Sequence, residues 1–73
     1  MTIEFSDHSK QMMKERNITE ELVTQAIKAP DSVSVSYRSR KLYRKKVQGK
    51  ILEVVTSQES GKILVVTQYF LGG

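Results

Sequence analysis

The hydrophobic period of this chain changes once, at Ala29-Pro30, and that break constrains the fold more than any other feature. Before it, Leu22, Val23, Ala26 and Ile27 recur at helical spacing. After it, Ser32 to Tyr37 reads Ser-Val-Ser-Val-Ser-Tyr, alternating polar and apolar as a half-buried strand does. A residue before proline avoids the helical region, so the helix must stop here. Helices therefore belong before the break and strands after it. One strand precedes the helices, because Thr-Ile-Glu-Phe at 2–5 also alternates.

Local chemistry divides the helical part in two. Ser6 or Asp7 offers a side-chain oxygen to cap a first helix, and Met12 and Met13 supply its apolar stripe. Asn17 suits the left-handed residue that ends it. Thr19 caps a second helix, with Glu20 and Glu21 in the first turn, where they complement the helix dipole. Beyond Pro30, Lys41 to Val47, Ile51 to Thr56 and Ile63 to Phe70 read as further strands, punctuated by Gln48-Gly49 and Ser60-Gly61. The expected fold class is α+β in the order β-α-α-β-β-β, an antiparallel sheet with two N-terminal helices packed on one face. The last strand is apolar on both faces and is expected in the sheet interior.

Seventy-three residues allow one modest core, so a single domain over 1–73 is expected. With no cysteine and one histidine, neither a disulfide framework nor a metal site is expected, and no cofactor motif stands out. No apolar run approaches the roughly 20 residues of a membrane span, and the N-terminus reads as neither leader nor signal. No membrane partner and a cytoplasmic location are the expectations.

The net charge of +4 is unevenly placed. Residues 37–50 hold Arg38, Arg40, Lys41, Arg44, Lys45, Lys46 and Lys50 with no acid, while both flanks are mildly acidic. Such a stretch creates a local positive potential that suits nucleic acids, the bland alternative being a solvated basic strand that binds nothing specific. If Gln48-Gly49 is a two-residue hairpin loop, Val47 lies opposite Lys50, Lys45 opposite Leu52 and Tyr43 opposite Val54. Tyr43, Val47, Leu52 and Val54 then form a core face. The reverse face carries Arg44 opposite Glu53 and Lys46 opposite Ile51, joined by Arg38 and Arg40 if the strand is unbroken from residue 37. Alternate strand positions are about 6.6 Å apart, close to the repeat of a nucleic-acid backbone. An Arg44–Glu53 cross-strand pair is the competing, purely structural reading of the same register.

The second hairpin leaves a choice open. A two-residue Ser60-Gly61 loop sends Tyr69 to the core face and Phe70 to the cationic one, and a three-residue loop reverses them. On the first helix, Met12 and Arg16 lie about 40° and 80° around the axis from His8, so all three can share a broad face. His8 could exchange protons there and Arg16 could hold a phosphate, or His8 could simply cap the helix start while Arg16 pairs with Glu20 or Glu21.

Phe5-Ser6-Asp7-His8, Met13, Arg16, Ile18, Ala26, Pro30, Leu42-Tyr43-Arg44-Lys45 and Val65-Val66-Thr67-Gln68-Tyr69 together resemble a prokaryotic family of short domains, domain of unknown function 4258, grouped with RelE-like toxins. The resemblance covers nearly the whole chain. It departs at Met12, where the family usually has a basic residue, at Ser9, usually alanine, and at Asn17, usually glycine. The resemblance implies a RelE-like fold and, through the grouping, a metal-independent endoribonuclease of a toxin–antitoxin pair. In that reading His8 is base or acid, Arg16 and Arg44 stabilise charge, Tyr69 stacks or relays protons, and Arg38, Arg40 and Lys46 position the RNA backbone. The alternatives are a non-catalytic RNA-binding module and a protein-interaction module whose basic strand docks an acidic partner such as an antitoxin.

Overall fold

The computed structural model describes residues 2–71. Strand β1 (Thr2–Phe5) leads into helix α1 (Asp7–Arg16) and helix α2 (Glu20–Lys28), and four strands follow: β2 (Ser32–Val35), β3 (Arg40–Val47), β4 (Lys50–Glu59) and β5 (Lys62–Leu71). They form one five-stranded sheet in the order β1-β5-β4-β3-β2. The architecture is α+β with both helices on one face, α1 against β5 and α2 against β3 and β4.

The helix ends are those the sequence predicts. Ser6 caps α1, its Oγ accepting from the Ser9 amide at 3.0 Å. Asn17 closes the helix in the left-handed region at φ 55°, and the Ile18 amide returns to the Met13 carbonyl. Thr19 caps α2 through the Leu22 amide at 3.1 Å. Val23, Ala26 and Ile27 from α2 and Met13 and Ile18 from the α1 segment bury themselves against Tyr43, Leu52, Val54, Ile63 and Val65, with Leu22, Val47 and Phe70 packed at the margin.

Two features differ from the expected order. The segments read at 32–37 and 41–47 are two separate strands, with the chain reversing between Tyr37 and Arg40, so the order is β-α-α-β-β-β-β, one strand more than expected and not unbroken from residue 37. Arg38 and Ser39 both take positive φ, 59° and 62°, and the Arg40 amide donates to the Tyr37 carbonyl. Positive φ at both central positions is the type I′ conformation, and the register puts Ser36 and Tyr37 together opposite Arg40, a bulge at the end of β2. Glycine or asparagine usually supplies that conformation, so an Arg-Ser pair hides the turn from a sequence reading. The sheet is also mixed rather than antiparallel. Strand β1 runs parallel to β5, pairing Thr2–Phe5 with Lys62–Val65, because two helices carry the chain over the sheet before it returns.

The Gln48-Gly49 hairpin has the predicted register, with Val47 opposite Lys50, Tyr43 opposite Val54 and Arg44 opposite Glu53. The Ser60-Gly61 hairpin has a two-residue loop, Glu59 pairing with Lys62, yet Tyr69 faces away from the core. The reason is a β-bulge. Thr56 pairs with Val65 and Val55 with Thr67, leaving Val66 as an extra residue that reverses the parity of everything after it. Ile63 and Val65 point at the helices before the bulge, and Gln68 and Phe70 do so after it.

Helix α1 grips this bulge. The Ser6 amide donates to the Val65 carbonyl and the Ser6 hydroxyl to the Val66 carbonyl, each at 3.0 Å. One turn on, the fully buried Ser9 hydroxyl donates to Gln68 Oε1 at 2.5 Å, and Gln68 Nε2 donates to the Ser9 carbonyl at 3.0 Å. Removing one buried partner costs more than removing both. Ser9→Ala is therefore expected to destabilise the chain by about 1–3 kcal/mol in urea unfolding, and Ser9→Ala combined with Gln68→Leu to recover most of that loss. Additive losses would contradict the pairing.

Candidate functional site

The face of the sheet away from the helices is open, and register assigns its residues. Arg40, Leu42, Arg44 and Lys46 project from β3, Ile51, Glu53 and Val55 from β4, Tyr69 from β5, and Ser32 and Ser34 from β2. The seven cations of residues 37–50 are thereby divided. Arg40, Arg44 and Lys46 share the open face, Lys41, Lys45 and Lys50 lie on the helix side, and Arg38 sits on the turn. Lys45 is committed locally, its Nζ donating to the Ala29 carbonyl at the end of α2.

At the centre of the open face, Glu53 is held by two strands at once. Arg44 Nε donates to Glu53 Oε1 at 2.6 Å, and the Tyr69 hydroxyl donates to Glu53 Oε2. Arg44 Nη1 reaches in the other direction to Ser34 Oγ at 3.2 Å. A chain of polar contacts therefore crosses β5, β4, β3 and β2. Glu53 is only 6% exposed, so its charge needs these donors. The Tyr69 pKa is raised above the usual 10.0, first by donating its proton to Glu53, then by burial and by the carboxylate's charge, against which Arg44 and Arg16 act.

The expected site residues do not all meet. Arg44 and Tyr69 are joined through Glu53. Arg16 donates from Nη1 to the Gln68 carbonyl at 2.9 Å, securing the edge of β5 beyond the end of β1. His8 is exposed in the first turn of α1, in the helix layer on the other side of the sheet from Tyr69. Arg40 and Lys46 flank Arg44 on the open face and are exposed. A hollow of about 420 Å³ lies among Arg44, Lys46, Ile51, Ser32 and Asp31, and Arg38 and Arg40 border another of about 520 Å³ at the hairpin tip. Among the described residues no three His, Asp or Glu side chains gather into a metal-binding group.

Residues 5–70 match the family model described as Domain of unknown function (DUF4258). The chain belongs to this family. The matched span contains every residue of the open-face cluster, from Ser34 to Tyr69. No curated protein and no solved structure matches the chain. Family membership brings no activity with it, so a functional reading has to stand on the cluster itself. No helix among the described residues is long and apolar enough to cross a membrane.

Glu53 is the member of this cluster that the sequence reading left as a bystander. Its pairing with Arg44 follows from the first hairpin, but its contact with Tyr69 exists only because of the Val66 bulge. The contact has a measurable consequence. A phenol whose folded pKa is raised stabilises the fold fully below its unfolded value near 10 and loses that contribution as the pH climbs through the raised value. Ultraviolet titration of the tyrosines is expected to show a late phenolate component that is missing in Tyr69→Phe. Loss of a component at the ordinary value instead would show that Tyr69 is free in solution.

Proposed function

We propose that the open sheet face binds the phosphate backbone of single-stranded RNA without cleaving it. The observation that carries this reading is the row of Arg40, Arg44 and Lys46, which leave one uncovered face of the sheet with Glu53 among them and Asp31 at the Lys46 end, where it accepts from the Lys46 backbone amide at 2.6 Å. Arg40 and Lys46 are exposed, and the pairing with Glu53 holds the Arg44 side chain in a fixed direction. Tyr69 beside them offers an aromatic surface for a base, and Arg38 extends the charge to the hairpin tip.

The contact between Tyr69, Glu53 and Arg44 favours one second reading, metal-independent RNA cleavage. There Glu53 takes the proton of the ribose 2′-hydroxyl as its oxygen attacks the phosphorus, and Arg44 steadies the charge of the phosphorane. The Tyr69 hydroxyl gives its proton to the departing 5′-oxygen, which leaves a 2′,3′-cyclic phosphate, and recovers a proton from Glu53. Glu53 is buried and doubly bonded, so it must give up a donor before it can act as a base, which places this reading second. His8 is separated from the cluster by the sheet. The toxin role and an antitoxin partner rest on the family resemblance alone.

Gel retardation of a single-stranded RNA in magnesium-free buffer tests both readings. The expected result is an intact, retarded RNA whose log affinity falls with log salt at a slope of about −2 for three phosphate contacts. Arg40→Glu and Lys46→Glu are each expected to flatten the slope by about 0.7, whereas Lys41→Glu, on the helix side, leaves it unchanged. Shortened RNA that stays intact with Glu53→Gln would establish cleavage. An unshifted RNA at low ionic strength, or an equal effect of Lys41→Glu, would overturn the open-face assignment.

A further inference from the structure

The two edges of the sheet are unlike. Natural edge strands discourage pairing with other chains by charge, proline, bulges or brevity. The β1 edge carries Glu4, which pairs with Lys62 at 3.5 Å. The β2 edge has no charge and no proline anywhere in Ser32–Tyr37. Val33 is 47% and Val35 76% exposed on the helix side, and Tyr37 in the turn beyond them is 88% exposed.

The backbone of this edge is available as well. The Ser36 amide donates to the Arg40 carbonyl at 2.8 Å, so Ser36 turns its hydrogen-bonding groups toward the β3 side. Antiparallel ladders alternate, which turns Ser34 inward and directs the amides and carbonyls of Val33 and Val35 out of the sheet. Cations flank both sides of the edge. Lys41 lies beside Val35 on the helix side, and on the open face the Arg44 guanidinium, paired with Glu53, reaches β2 at Ser34 Oγ, 3.2 Å away, with the Asp31 carboxylate at the start of the strand.

We propose that the β2 edge accepts an extended acidic segment of another protein as a sixth strand. Its apolar side chains cover Val33 and Val35. Its carboxylates lie on the serine face, where the small side chains of Ser32 and Ser34 leave a path to Arg44. Backbone pairing supplies the affinity, and the alternation of apolar and acidic residues supplies the specificity. A second copy of the chain is a poor occupant, because it would set one +4 chain against another with the basic β3 strands close together. The surface shares Arg44 with the row proposed to bind RNA, but the outward backbone groups of Val33 and Val35 belong to the edge alone, so the Val35 variants and methylated peptides test this proposal separately from RNA binding.

The test is fluorescence anisotropy with a labelled peptide of alternating glutamate and valine, using Val35→Pro and Val35→Thr variants. Proline removes an outward donor without touching the β2–β3 ladder. Wild type and Val35→Thr are expected to bind alike, and Val35→Pro about tenfold or more weakly. A peptide of alternating lysine and valine is expected not to bind. Peptides N-methylated on alternate amides repeat the test on the unaltered protein: the phase that leaves the β2-facing amides free binds, and the other does not. No binding by wild type, equal binding of both methylation phases, or equal binding of the lysine peptide would overturn the proposal. So would a wild-type dimer, seen by sedimentation without peptide, that Val35→Pro dissolves.

Discussion

The seam between α1 and the bulge of β5 is the constraint on which the arrangement of the sheet depends. Four hydrogen bonds from Ser6, Ser9 and Arg16 meet the carbonyls of Val65, Val66 and Gln68 and the Gln68 amide group. They do two things at once. Beyond Phe5, where β1 stops pairing, they satisfy β5 carbonyls that would otherwise face no partner. They also lock the extra residue at Val66 in place, and one residue of register decides which side of the sheet each later side chain occupies. Ser6 links the two roles, since the oxygen that caps α1 also donates to the bulge carbonyl.

The open face inherits its character from that choice. With the bulge, Tyr69 arrives beside Glu53 and Phe70 joins the core margin. Without it, Tyr69 would stand under the helices opposite Leu52, where Phe70 now lies, and Gln68 instead of Tyr69 would stand opposite Glu53. The cluster also sets the charge pattern. Glu53 neutralises the central cation of the row, and among the described residues neither Arg40 nor Lys46 on either side forms an ion pair, although Asp31 lies beside Lys46 and accepts from its backbone amide. Such a surface suits a repeating anionic chain better than a single compact anion.

Much of the fold is legible in the residues. Caps at Ser6 and Thr19, the left-handed Asn17, the break at Pro30 and the Gln48-Gly49 hairpin follow from local chemistry, and each lies where that chemistry places it. The parts that escape are non-local or atypical. The Tyr37–Arg40 turn uses arginine and serine at positions that normally announce themselves with glycine or asparagine. The Val66 bulge falls in Ile63–Val66, a run apolar on both faces, so no alternation reveals the slip. The parallel pairing of β1 depends on the path of two helices rather than on its own four residues. For the candidate site, Arg44, Arg40 and Lys46 are legible from one hairpin register. Glu53 as a shared carboxylate, and the separation of His8 from it, require the whole sheet.

The bulge at Val66 puts Tyr69 on the open face against Glu53, with Arg44 beyond it. Nuclear Overhauser contacts from the Tyr69 ring report this arrangement. Cross-peaks are expected from that ring to the side-chain protons of Glu53 and Arg44. Cross-peaks from the Tyr69 ring to the methyl groups of Met13, Ile18 or Val23 would mean that the strand runs without the bulge and that the open-face cluster does not exist.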